Sequence, residues 1–368
     1  MRTLNYCILT AAALAAVVWF GAPRTANACI HPPKGFMAPI DSGAQRGLVF
    51  FDNGRQELVI QPGYRVNTEK LERAEVTDDG VVKGLKSFAW LVPLPALPDS
   101  YAEAEATLFD DLQKFTAVGP RLPEDDSDER TLGPVVFADD DEGDSVEFLE
   151  AVTAGAYTIQ PIKAQGELGG QELAAWLKDN EFGEVDERIL RFYLLENYYW
   201  LAIKWKSEAD LPADGSAKPL QISFKTPKPV YPLKINDKRG EFDLELWLIT
   251  REAVDLTKSK RFGLVTAEQH DEEMFQKNRE TGFVNLPESV RKLADPVEGL
   301  KELRKGAVYC YRFMGKDLDA EDGLDLGLLQ EDLYFEFEKN IAAKPKDEVK
   351  PDAKPDEVKP EGETPKTD

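Results

Sequence analysis

The chain has 368 residues, 42% hydrophobic and 10% aromatic, enough for one large core or two ordinary ones, which excludes a wholly disordered protein. Its 68 acidic residues outnumber 45 basic ones, for a net charge of −23. A surface that acidic repels phosphate backbones and anionic headgroups, so nucleic acid and membrane-surface roles are disfavoured, while counter-cations and basic partners remain compatible.

The first signal is at the N-terminus. Arg2 precedes an apolar run from Ile8 to Phe20, Gly21 and Pro23 break it, and Ala26-Asn27-Ala28 is a small-x-small cleavage site. Residues 1–28 are therefore predicted to be a secretory signal peptide, too short and too weakly flanked for a stable transmembrane helix. No later stretch approaches the roughly 18 apolar residues that spanning requires. The mature chain is expected to be exported, periplasmic or extracellular. Cleavage would leave Cys29 at its head, which raises two alternatives. Cys29 could carry a lipid anchor, as in a lipoprotein signal, although Ala26 stands where leucine is usual. Otherwise Cys29 and Cys310 would pair as a disulfide in an oxidising compartment, worth about 4 kcal/mol in the loop-entropy picture. Both use the Cys29 sulfur, so each excludes the other, and the intact mass distinguishes them.

After an irregular entry through His31-Pro32-Pro33, Gly47–Asp52 and Glu57–Gln61 read as strands around an Asp52-Asn53-Gly54 hairpin turn. A second pair is predicted at Ala74–Thr77 and Val81–Val82. Phe88–Val92 is a continuous apolar run that suits a strand buried on both faces, and Pro93 and Pro95 are expected to end it. Ser100-x-x-Glu103 has the form of a capping box, and Tyr101, Ala104, Leu108, Leu112 and Phe115 recur at helical spacing, so a helix is predicted over 100–117. Acidic loops follow at Glu124–Arg130 and Asp139–Asp144, with Val135–Phe137 and Val146–Val152 as strands.

Tyr157–Ile162 reads as a strand, and helical patterns over 170–195 place Leu173, Trp176 and Leu177 together, then Val185, Ile189 and Phe192. Tyr198–Lys206 is a strand apolar on both faces, with Trp200 and Trp205 on opposite sides. Gln221–Thr226 alternates, with Ile222 and Phe224 expected inward and Ser223 and Lys225 outward. Val230–Ile235 and Phe242–Thr250 add strands. Helices are predicted over 266–294, then Gly306–Met314 as a strand with Tyr309, Tyr311 and Phe313 on one face and Val308 and Cys310 on the other. Leu333, Phe335 and Phe337 alternate with polar residues in a last strand. Beyond 340 the chain is almost all Lys, Pro, Asp, Glu and small residues, the composition of a disordered spacer.

Phe88-Ala89-Trp90-Leu91-Val92-Pro93-Leu94-Pro95, the block Gly155-Ala156-Tyr157…Leu173…Trp176-Leu177…Asn180, the strand Tyr198–Lys204 and Pro229-Val230-Tyr231-Pro232-Leu233 occur in that order. Together they resemble the bacterial domain-of-unknown-function family numbered twenty-three thirty, over roughly Cys29 to Ile235. The Ala28-Cys29 start resembles it too, although Ile30 stands where members usually continue with Gly. The resemblance implies an exported bacterial protein. It implies no activity and carries over no functional residue.

The search for chemistry finds little. Only His31 and His270 exist, and no Gly-x-Ser-x-Gly, His-Glu-x-x-His, Walker or dinucleotide-binding pattern appears. His270, amid Glu268, Asp271, Glu272 and Glu273, reads as part of a solvated helix face. Cys29-x-His31 could bind a metal, against a default of a flexible terminus with no further ligand nearby. Asp317, Asp319 and Glu321 resemble the start of a calcium loop, but Asp322 stands where that loop needs Gly and Leu328 where it needs Glu. Asp139–Asp144 is a second oxygen-rich candidate. Tyr198, Tyr199, Trp200, Trp205 and Trp247 could form a glycan or peptide platform, against a default of core packing.

The sequence thus predicts an α+β protein, mainly antiparallel β-sheet with several packed helices and a disordered C-terminal tail. The expected divisions are a signal peptide (1–28), an α+β domain (29–255), an extension or second small α+β domain (256–340) and the tail (341–368). The functional expectation leans against an enzyme: an exported, non-catalytic protein of the cell envelope or medium, binding an envelope protein or glycan or serving structurally, with no cofactor. The alternative is a motif-less hydrolase or a calcium-dependent protein.

Overall fold

The computed structural model describes residues 30–36, 38–71, 75–117, 145–237, 242–256, 265–266, 280–318 and 331–338. The expected signal peptide, Cys29, His270, the acidic loops, the predicted 135–137 strand and the tail lie outside them. Most strands pair antiparallel and helices pack against them, so the α+β class holds.

Two sheets carry the fold. The six-stranded one runs Ile30–His31, Ser87–Leu94, Tyr199–Lys206, Tyr157–Gln165, with Val152–Ala154 and Ser145–Phe148 placed end to end along the last. The eight-stranded one runs Val265–Thr266, Ala307–Leu318, Phe242–Thr250, Gln45–Asp52, Arg55–Gln61, Leu220–Lys225, Ser100–Glu103, with Glu280–Gly282 also on the Ala307–Leu318 strand. Within it the Phe242–Thr250 and Gln45–Asp52 strands pair in parallel, joined by a connection that crosses the rest of the molecule. Because Ala307–Leu318 pairs along Phe242–Thr250, the chain beyond residue 255 returns into the same sheet.

Alternation sorts the strand residues into three cores. Phe88, Trp90, Val92, Ile203 and Trp205 of one sheet meet Val49, Leu58, Ile222, Leu246 and Tyr311 of the other in the central core. The opposite face of the eight-stranded sheet, with Phe50, Val59, Trp247 and Cys310, is covered by α1 (Leu108–Phe115) and by residues 283–303 around α4 (Glu288–Ala294). The opposite face of the six-stranded sheet, with Leu91, Ile162 and Trp200, is covered by α2 (Gly166–Asp179) and α3 (Glu187–Leu195). The order is helices, sheet, sheet, helices. Central strands buried on both faces read as unbroken apolar runs, which explains 88–92 and 199–203.

Local chemistry accounts for several details. Asn53 and Gly54 both take positive φ (48° and 77°), as the two-residue turn between Gln45–Asp52 and Arg55–Gln61 requires. Pro161 sits inside a strand, and its carbonyl accepts the Leu149 N–H at 3.0 Å. A residue's N–H and C=O point to the same side of an antiparallel strand, so the bond Pro161 cannot give is missing towards Leu149. There the edge divides into its two short strands, and Gln160 Nε2 fills the break by donating to the Leu149 carbonyl at 2.6 Å. In α2, Gly169 and Gly170 cost helix propensity of about 1 kcal/mol each. They are needed because a Cβ at either would overlap the Ser145 carbonyl or the Leu194 side chain. Asp186 caps α3, accepting from Arg188 N at 2.9 Å.

Four expectations need correction. The Phe88–Val92 strand does not stop at Pro93 but runs to Leu94, with Pro93 opposite Trp200; its other neighbour, Ile30–His31, reaches only residues 89 and 90. Ser100–Glu103 is not a capping box but a strand on Leu220–Lys225, and the helix starts only at Leu108. Glu103 accepts instead from Ala156 N at 3.1 Å and pairs with Lys218 at 2.6 Å. Within the helices predicted over 266–294, Val265–Thr266 and Glu280–Gly282 are instead strands on Ala307–Leu318. Ser223 is not outward in the solvent but buried against the second core.

Candidate functional site

The aromatic platform resolves into core. Trp200, Trp205, Trp247 and Tyr198 are all buried, divided among the three cores, and half-buried Tyr199 sits beneath the Lys163 ammonium at 4.3 Å. Trp247 is wholly enclosed, its Nε1 donating to Thr116 Oγ1 at 3.0 Å and its ring tilted against that of Phe109. Of the calcium candidates, Asp317 lies on the Ala307–Leu318 strand, and Asp319 and Glu321 lie outside the described residues. Among the described residues no group of three or more His, Cys, Asp or Glu could hold a metal ion. His31 pairs opposite Ala89, with its ring against the backbone of Gly183. Cys310 is buried on the helix-covered face of the eight-stranded sheet, whereas Ile30, next to Cys29, enters the central core.

The densest polar constellation was not expected. Glu57, on a central strand, is wholly buried on the face covered by residues 283–303. Its Oε2 accepts from Gln221 Nε2 at 2.8 Å and from the Ser223 hydroxyl on the adjoining strand. Its Oε1 has no hydrogen-bond partner and faces Arg55 Nε at 3.9 Å. The Arg55 guanidinium is held in a fork by Asp99, at 2.6 and 2.7 Å. Burial pushes the Glu57 carboxyl up to about 7; Ser223, Gln221 and Arg55 oppose the rise and Asp99 adds to it. A serine beside a carboxylate invites a catalytic reading, but Ser223 and Glu57 are sealed beneath α4, whose Leu293 carbonyl receives the Gln221 amide at 3.4 Å. The cluster satisfies a polar position inside a core. Its sequence signal was Glu57 running into Leu58-Val59-Ile60, a strand apolar on both faces.

The exposed apolar surface lies elsewhere. Phe148, on the edge strand Ser145–Phe148, is 46% exposed and packs on half-buried Trp176 of α2 at 5.1 Å between ring centres. Trp176 in turn stacks on buried Phe182 at 5.8 Å. Leu168 at the start of α2 and Leu195 at the end of α3 are also exposed, at 57% and 64%. Among the described residues, Ser145–Phe148 pairs only with Tyr157–Gln165, so its outer edge carries no strand. An open ladder edge beside an aromatic pair can add a strand and seat its side chains. No helix among the described residues is long and apolar enough to cross a membrane.

The profile of a bacterial family, described as "uncharacterized protein conserved in bacteria (DUF2330)", matches residues 56–313. The chain belongs to that family. The bounds drawn from the sequence motifs, Cys29 to Ile235, are corrected by this match: it begins after the Cys29 start, which is no part of it, and continues through the Ala307–Phe313 strand residues. No curated protein matches the chain. Two solved structures are similar to it in part. A mutated baculovirus P35 after caspase cleavage has 12% identity and a TM-score of 0.29, over 65% of this chain and 76% of that one. Baculovirus P35 has 15% identity and a TM-score of 0.29, over 61% of this chain and 70% of that one.

Proposed function

We propose that this protein is exported through a signal peptide at residues 1–28 and acts without catalysis in the envelope or outside the cell, binding an extended segment of an envelope protein. The observation that carries this reading is the Phe148–Trp176 pair beside the edge of Ser145–Phe148 that carries no strand among the described residues. Main-chain hydrogen bonds along the edge would supply affinity, and the two rings would anchor apolar side chains. The net charge of −23 favours a partner segment flanked by Lys or Arg. The burial of Glu57 and Ser223 supports a non-catalytic role, because no substrate reaches them in the closed fold.

The test is capture from an envelope extract by the mature chain, followed by cross-linking, with F148A/W176A as the control. A protein partner cross-linked near residues 145–148 and lost with the variant supports the reading. Capture that depends on a glycan, capture undiminished in the variant, or turnover in an activity screen with no partner would each overturn it.

A further inference from the structure

Residues 331–338 form a strap. Leu333–Tyr334 pairs with Val230–Tyr231, and Phe335 N donates to the Pro229 carbonyl at 3.0 Å. On the strap's other side Asp255 N donates to the Glu336 carbonyl at 2.8 Å and Glu338 N to the Ala253 carbonyl at 3.0 Å. Leu333 and Phe335 are buried in the central core and Phe337 packs against it, with Phe335 on Phe313 at 5.4 Å and Phe337 on Phe51 at 5.9 Å. Lys228 and Glu336 add an ion pair at 2.5 Å.

At the head of the strap Asp332 is wholly buried where three segments meet. Its Oδ1 accepts from the Tyr193 hydroxyl of α3 at 2.7 Å and from Lys234 N at 3.0 Å. Its Oδ2 is sealed from solvent without a hydrogen-bond partner. The Tyr198 hydroxyl, bonded to that of Tyr334, and the Leu233 N–H lie near enough to favour a charge without making that bond. The other charged groups around this cluster are Glu196, at the end of α3, and Glu331, both acidic. The Lys234 ammonium is turned to Asp237 at 2.8 Å. An ionised Asp332 is therefore buried without a cation among the described residues, the arrangement in which a carboxylate costs most.

We infer that Asp332 is a proton-operated clasp: protonated, it holds the strap shut against α3 and residues 233–236, and ionised, it loosens the strap. Burial pushes its carboxyl from an ordinary 3.8 up to about 7, so the closed strap keeps a proton that an open one releases, and closure weakens as pH rises across that interval. The clasp stands on its own geometry and does not depend on a partner at the Phe148 edge.

Hydrogen exchange read by mass spectrometry on the full mature chain tests it, with rates corrected for the intrinsic pH effect. Between pH 5 and pH 8 the protection of residues 331–338 should fall by roughly 50-fold or more relative to residues 45–52. D332N, which keeps the shape but cannot ionise, should abolish the fall. Y193F, which removes a donor to the charged form, should extend the fall to higher pH and keeps the test open if D332N does not fold. Equal protection at both pH values in the wild type, a wild-type fall in folded D332N, or an unaltered profile in Y193F would overturn the inference.

Discussion

Glu57→Gln should make this protein more stable at pH 8 and leave it unchanged in acid. Glu57 is protonated in both folded and unfolded chains below its ordinary value of 4.5, so there its burial costs nothing electrostatic. Between 4.5 and about 7 the folded chain holds a proton that the unfolded chain gives up, and stability falls as pH rises. Above that interval the penalty is complete. At about 1.4 kcal/mol per tenfold change in proton affinity it amounts to roughly 3 kcal/mol. Gln keeps the shape, and its carbonyl can still accept from Ser223 and Gln221. Arg55 keeps its fork to Asp99. After allowing for weaker bonds to an uncharged acceptor, the expected gain at pH 8 is about 2 kcal/mol. Urea denaturation at pH 4.5 and pH 8 measures it for both proteins. A variant less stable than wild type at pH 8, or one with the same loss of stability between the two pH values, would refute the reasoning.

Other outcomes follow from the same packing. Trp247→Ala opens a cavity between α1 and the eight-stranded sheet and removes a donor to the Thr116 hydroxyl, and should cost about 3–5 kcal/mol in denaturant titrations. Gly155 has φ +58°, and a Cβ there would overlap the Glu103 carboxylate, so Gly155→Ala should cost about 1–2 kcal/mol. Adding Glu103→Ala should relieve part of that cost, read as non-additivity in a double-mutant cycle. The F148A/W176A variant should stay folded but melt several degrees lower, because half-buried Trp176 stacks on buried Phe182, while losing partner capture.

Much of the fold was legible because it is written in periodicity. The Asn53-Gly54 hairpin, the two faces of Tyr199–Lys206 and the Tyr311, Phe313 against Val308, Cys310 split of the late strand follow from alternation. Ser100–Glu103 was misread because four residues before a true helix satisfy a helical spacing as well as a strand's. The choice is made by the free edge of Leu220–Lys225, which lies over a hundred residues away. The candidate surface was only half legible: Trp176 was placed on a helix face, but nothing local says that Phe148 of a sheet strand meets it.

Composition and strand periods belong to the sequence alone, because they are read from the residues and their near neighbours. They determined an acidic chain, an α+β sheet protein and the inward rows of most strands, and the apolar run near the N-terminus is the ground on which export is proposed. Tertiary structure decided the rest. A helical layer on the outside of each sheet turns nominally outward positions such as Glu57, Gln221 and Ser223 into buried ones. A late strap brings Asp332 against Tyr193, 139 residues earlier in the chain. Burial of a charge is a property of what finally covers it, and here the covers arrive from residues 283–303 and 331–338, far along the chain.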